Sequence, residues 1–132
     1  MFFRRADKQC LMSEHLSFGA SGEDRAVVYL KRKGYAILER NWHSGHKELD
    51  IIARRGNTLV VAEVKTRSSR TWEEPYQAVD RKKQKLIIAA ADAYVRRKNL
   101  DLDVRFDVIY VVMTGKDTEI EHIENAFYPL LR

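Results

Sequence analysis

Glu48–Arg67, ELDIIARRGNTLVVAEVKTR, is the stretch on which the fold turns. Two apolar, β-branched runs flank Arg55-Gly56-Asn57, a hairpin-turn signal, so residues 48–54 and 58–67 read as antiparallel neighbours. Side chains two apart on a strand share a face. Glu48 and Asp50 therefore point one way on the first strand. Glu63 and Lys65 share a face on the second, opposite Val60, Ala62 and Val64. Pairing around the turn brings positions near 50 opposite positions 63–65. Charges so placed are costly in a sheet unless they are paired or used.

Carboxylates a few ångströms apart repel one another and stay ionised only if a cation or hydrogen-bond donors compensate. Magnesium, or manganese in its place, suits the position. Magnesium takes oxygen ligands, keeps several waters and needs few carboxylates. A metal so held polarises a phosphoryl oxygen and acidifies a bound water, and a nearby lysine can orient that water or stabilise the transition state. That is the chemistry of phosphodiester hydrolysis. The competing reading is a solvated sheet face on which the same four side chains form salt bridges.

Outward from this hairpin the pattern is helical on the N-terminal side. Ser21 caps a helix with Glu23 and Asp24 in its first turn, and Gly34 stops it. Residues 35–40 read as a short strand and 41–47 as a loop holding His43, Gly45 and His46. On the C-terminal side, 68–74 is a polar loop, and Pro75 suits the first turn of a long helix. That helix buries Val79, Leu86, Ile87, Ala90 and Tyr94 and ends at Asn99. Residues 104–113 form an apolar central strand and 119–123 a last strand, with Phe127, Tyr128 and Leu130 packed back on the core. Helix, three-strand meander, helix and two strands make an α/β chain: a mixed sheet of about five strands flanked by helices.

At 132 residues the chain is expected to hold one domain, 17–132, behind a flexible N-terminal extension, 1–16. The net charge of +5 favours polyanionic partners such as nucleic acid. The lone Cys10 builds neither a disulfide framework nor a cysteine-rich zinc site, and is compatible with a reducing cytosol. No apolar run approaches the roughly 18–20 residues that span a bilayer, and the N-terminus lacks a signal-peptide apolar region. A cytoplasmic protein with no membrane partner is expected. Arg81, Lys82, Lys83 and Lys85 crowd the start of the second helix, and with Arg54, Arg55, Arg67 and Arg70 they suit a phosphate backbone. His43 and His46 would need two more convergent ligands to make a zinc site. Trp42 and Trp72 either stack on unpaired bases or cover the core. Asp107 is read as structural, pairing with Arg105 or supporting a helix end.

Asp50, twelve intervening residues, Glu63, one residue and Lys65 form a set. It resembles the PD-(D/E)xK nucleases of the restriction-endonuclease-like fold, with an acidic residue ending one strand and Glu-x-Lys on the next. The blocks GEDRAVVYLKRKGYAILERN, KELDIIARRGNTLVVAEVKTRSS, AVDRKKQKL, RFDVIYV and IEHIENAF resemble, in order, those of the YraN-type uncharacterised family, over residues 19–128. That family is similar to archaeal Holliday-junction resolvases. The resemblance implies Asp50 and Glu63 as metal ligands for Mg²⁺ or Mn²⁺, the Val64 carbonyl as a third, and Lys65 as the catalytic lysine. It implies Glu23 as an acidic helix residue that supplements the metal site, and Glu48 as a support for the ligands. Lys83 and Gln84 fit the family's Lys-Gln block on a helix near the site. Two positions depart from the pattern: Lys47 and Glu73 stand where glycines are usual. Lys47 puts a positive charge beside the site, able to contact phosphate or to disturb the turn.

The function implied is a metal-dependent DNA endonuclease or resolvase-like protein acting on DNA, branched or single-stranded. Paired symmetric cuts would require a homodimer. The face of Val108, Tyr110 and Val112, or the edge of the last strand, are the surfaces considered for it. The alternatives are a non-catalytic nucleic-acid-binding module on the same fold and a protein-interaction scaffold.

Overall fold

The computed structural model describes residues 4–5, 21–68, 79–115 and 117–129. Ser21 opens the first helix, α1 (Gly22–Arg32), with a reciprocal capping box. Its hydroxyl accepts the Asp24 N–H at 3.1 Å, and the Asp24 carboxylate accepts the Ser21 N–H at 3.1 Å. Three antiparallel strands follow: β2 (Ala36–Ser44), β3 (Lys47–Arg55) and β4 (Thr58–Arg67). The second helix, α2 (Arg81–Lys98), leads into β5 (Asp103–Thr114), and a hairpin joins β5 to β6 (Asp117–Phe127). β5 lies parallel to β4, a pairing that needs a crossover, which the segment containing α2 supplies. A two-residue strand, β1 (Arg4–Arg5), pairs with β6 at His122 and Glu121. The mixed sheet has the order β1-β6-β5-β4-β3-β2.

The helices cover opposite faces of the sheet. Ala26, Val27, Tyr29 and Leu30 of α1 pack on Ile51, Ala53, Val60, Ala62, Ile109 and Val111. Ile87, Ala90, Ala91 and Tyr94 of α2 pack on Leu49, Ile52, Leu59, Val61, Val108 and Tyr110. Burial on both faces explains why β4 and β5 read as nearly unbroken apolar runs. It also overturns one expectation: Val108, Tyr110 and Val112 are buried and offer no dimer surface. No helix among the described residues is long and apolar enough to cross a membrane.

Several boundaries differ from those expected. The supposed loop 41–47 is mostly strand: Trp42 pairs with Leu49, His43 with Glu48 and Ser44 with Lys47, and Gly45 (φ 64°) makes the turn. The polar residues of this stretch are those of an exposed edge strand, which a turn-residue reading mistakes for a loop. The long helix starts later than Pro75, which lies outside the described residues with Trp72 and Glu73. Asp80 is its N-cap, in extended conformation, so Val79 is buried just before the helix rather than within it. Leu86 is exposed, because Ile87, Ala90, Ala91 and Tyr94 already complete an i, i+3, i+4, i+7 stripe. β6 continues to Phe127, which stacks on Phe106 at 5.2 Å. Tyr128 turns outward at 63% exposure, and Leu130 lies outside the described residues.

α1 also touches the sheet through Gly22. A methyl group there would collide with the Thr66 hydroxyl of β4. Gly22→Ala should therefore cost roughly 1–3 kcal/mol, an overpacking penalty, since either α1 or Thr66 must move. Urea unfolding of Gly22→Ala, alone and with Thr66→Ala, checks this: the double variant should recover most of the loss.

Candidate active site

The β3–β4 ladder runs from Arg55 opposite Thr58 to Ile51 opposite Ala62. Just beyond the last paired residues come Asp50 and Glu63, and each strand's main chain donates to the other strand's carboxylate. Asp50 Oδ2 accepts the Val64 N–H at 2.9 Å, and Glu63 Oε2 accepts the Asp50 N–H at a long 3.4 Å. Glu63 is buried and Asp50 half-buried. The two carboxyls singled out in the sequence thus stand on adjoining strands, each bonded to the other strand's main chain.

Electrostatics follow from that placement. Burial, then the charge of Asp50, push the Glu63 carboxyl up to about 8. The Asp50 N–H, Lys83 and Lys65 act against the shift. Asp50 is likewise raised, first by burial, with Glu23 and Glu48 adding to the rise and the Val64 N–H and Lys83 opposing it. Residues from four elements thus meet electrostatically at one spot: Glu23 from α1, Glu48 and Asp50 from β3, Glu63 and Lys65 from β4, and Lys83 from α2.

The remaining expected residues are placed as follows. Glu23 is bonded through Oε1 to Arg40 Nη2 at 2.8 Å and to Asn41 Nδ2 at 3.0 Å. Glu48 lies 3.8 Å from His43 Nε2, both side chains well exposed. Lys47 is half-buried at the end of β3, beside the Gly45–His46 turn. Arg67 donates to the Thr66 carbonyl at 3.2 Å, its guanidinium 5.8 Å from the Tyr110 ring centre. Lys82 and Lys83 are exposed in the first turn of α2. Gln84 has a structural task, donating to the Val79 carbonyl at 2.8 Å. Arg81, Gln84 and Lys85 line a groove against Tyr128 and Pro129. Trp42 covers the core, edge-on to Tyr94 at 5.1 Å.

Among the described residues no three His, Cys, Asp or Glu side chains gather into a ready metal cage. A hard divalent cation nevertheless fits the pair. Magnesium is held by one or two carboxylates with waters completing its shell. A cation would also relieve the repulsion and desolvation that raise both carboxyls. Arg40 and Asn41, which hold Glu23, went unnoticed in the sequence; neither spacing nor charge pattern marks them.

The Uncharacterised protein family UPF0102 matches residues 22–111. A UPF0102 protein of Phocaeicola vulgatus is 52% identical over 118 residues, covering 89% of this chain and 98% of the relative. One from Bacteroides thetaiotaomicron is 48% identical over 120 residues, 91% of this chain and 99% of the relative. One from Flavobacterium psychrophilum is 47% identical over 117 residues, 89% and 98% respectively. The matched span takes in α1, the whole β2–β4 meander with Asp50, Glu63 and Lys65, and α2: the chain belongs to the UPF0102 family, the YraN-type family that its sequence blocks resemble.

Proposed function

We propose that this protein is a divalent-metal-dependent endonuclease that hydrolyses phosphodiester bonds in DNA. The observation that carries the reading is the pair Asp50 and Glu63, each carboxylate held by the other strand's main chain, with the charges of Lys65 and Lys83 acting on Glu63. Asp50 and Glu63 would hold Mg²⁺ or Mn²⁺, with the Val64 carbonyl as a further oxygen. When bound, the ion supplies Lewis-acid polarisation of a phosphoryl oxygen and acidification of water. Lys65 then stabilises charge developing on the phosphoryl oxygens or orients the attacking water. Lys83 offsets the negative charge of the pair, and Lys47, Arg67 and Lys82 contact the phosphate backbone.

Incubation of the purified chain with Mn²⁺ and linear, forked and four-way DNA tests this. Wild type should nick at least one substrate. Lys65→Met should lose about 10²–10³-fold of the rate, the typical cost of removing a charge-stabilising donor, while still binding the metal. Equal behaviour of both proteins on every substrate would remove the enzyme reading. DNA binding without metal binding would leave a non-catalytic nucleic-acid-binding module.

A further inference from the structure

Arg40 and Asn41 of β2 reach across to α1 in a way that regular strand pairing does not require. Arg40 lies opposite Ile51 and Trp42 opposite Leu49, so Asn41 falls between these two pairs on β2, as Asp50 does on β3. Its amide donates to Glu23 Oε1 at 3.0 Å. Arg40 Nη2 donates to the same oxygen at 2.8 Å and to Asp24 Oδ1 at 2.8 Å. Two donors on one oxygen fix which way the other oxygen of Glu23 points. Asn41 also takes a left-handed backbone conformation, φ 50°, in mid-strand. That conformation is uncommon outside glycine, and asparagine is among the residues that adopt it most readily. Fold stability is a poor explanation for this arrangement, because Arg40 is 39% exposed and exposed ion pairs contribute little.

We infer that Arg40 and Asn41 are positioning residues that orient the Glu23 carboxylate toward the Asp50–Glu63 pair, where it acts on a bound cation through the cation's waters. The inference rests on the metal-binding reading above. Glu23 does not complete a direct three-residue cage with the pair. A hydrated ion such as magnesium presents waters as donors, and a carboxylate fixed beside them accepts without displacing them. Asn41 is the shortest link in this scheme. Its backbone is part of the ladder that carries Asp50, and its side chain holds Glu23.

Asn41→Gly separates orientation from folding. Glycine keeps the left-handed backbone at no steric cost and deletes only the amide. Calorimetric titration of the full chain with Mn²⁺ should show about tenfold weaker binding, the usual loss when a residue that orients a metal site's surroundings is removed. The thermal midpoint in EDTA should stay unchanged. In a Glu23→Ala background the same substitution should cost nothing further, because the carboxylate it orients is gone. Arg40→Gln should weaken binding in the same direction. Wild-type Mn²⁺ affinity in Asn41→Gly would overturn the inference, with or without a lower midpoint, as would full additivity with Glu23→Ala. Failure of the wild-type chain itself to take up Mn²⁺ would instead overturn the metal-binding reading, and this inference with it.

Discussion

A chain with Gln in place of Glu63 should lose the metal-dependent cleavage proposed above and become more stable than wild type above pH 7. Both effects have one cause. The Glu63 carboxyl is buried and feels the charge of Asp50, which pushes it up to about 8 from an ordinary 4.5. A carboxyl raised in the fold is favoured there in its neutral form. Its contribution is therefore most favourable below pH 4.5, declines between 4.5 and 8, and remains unfavourable above that window. Glutamine is neutral throughout, so this decline should vanish from the variant. The gap between the two proteins should be small near pH 4 and on the order of 2–4 kcal/mol at pH 9, in favour of Glu63→Gln. Urea unfolding without divalent metal at both pH values measures it. On the metal-binding proposal Mn²⁺ would stabilise the ionised pair, so it should raise the wild-type thermal midpoint at pH 8 and leave that of Glu63→Gln nearly unmoved. Stability given up for a charged pocket is the ordinary trade at a working site. A variant that cleaves as well as wild type, or is less stable at pH 9, would show that Glu63 serves the fold alone.

Asp50 and Glu63 were legible in the sequence because everything that places them is local. The Gly56 turn sets the register of β3 on β4, and period-two alternation sets the faces along β4 and from Ile51 to Ala53, breaking at Asp50, where Leu49 and Ile51 pack on opposite sides of the sheet. Ser21 and Asn99 marked helix ends for the same reason, since caps bond within a turn of themselves. What escaped depends on partners distant in sequence. Trp42 and His43 carry turn-prone neighbours, and only pairing with Leu49 and Glu48 makes them strand. Glu23 meets Arg40 and Asn41 across 17 and 18 positions, a separation with no periodic signature. The basic run opening α2 gave no way to tell its members apart. The charge of Lys83 acts on Asp50 and Glu63, while Arg81 and Lys85 line a groove with Tyr128.

Asp107→Ala should cost roughly 3–5 kcal/mol at pH 7, because it strips the partner from a buried charge network. The sequence suggested a pairing with Arg105, and the structure gives much more. Asp107 is fully buried and accepts two bonds from Arg105, at 2.9 and 2.8 Å. His122 Nε2 meets its Oδ2 at 2.6 Å, and since a carboxylate can only accept, the imidazole donates. His122 Nδ1 in turn meets the Tyr29 hydroxyl at 3.0 Å, which ties α1 to the network. The Asn125 N–H donates to Asp107 Oδ1 at 2.9 Å, at the point where the β5–β6 register shifts between Phe106 and Val108. One carboxylate thus secures a bulge, two strands and a helix. Burial alone would raise its pKa, but the bonds from His122 and Arg105 outweigh burial and hold it below the ordinary 3.8. Its sign is therefore opposite to that of Glu63: the contribution is complete above pH 3.8 and is lost as pH falls through the lower folded value. Urea unfolding of Asp107→Ala should show the full deficit at pH 7 and a smaller one near pH 2. Glu124→Ala is the internal contrast, for Glu124 lies 3.7 Å from the same arginine but is 38% exposed. Its loss should stay below about 1 kcal/mol, as for exposed pairs generally. If the two substitutions cost the same, the burial of Asp107 would have no energetic consequence, and the β6 bulge would have to be held by packing alone.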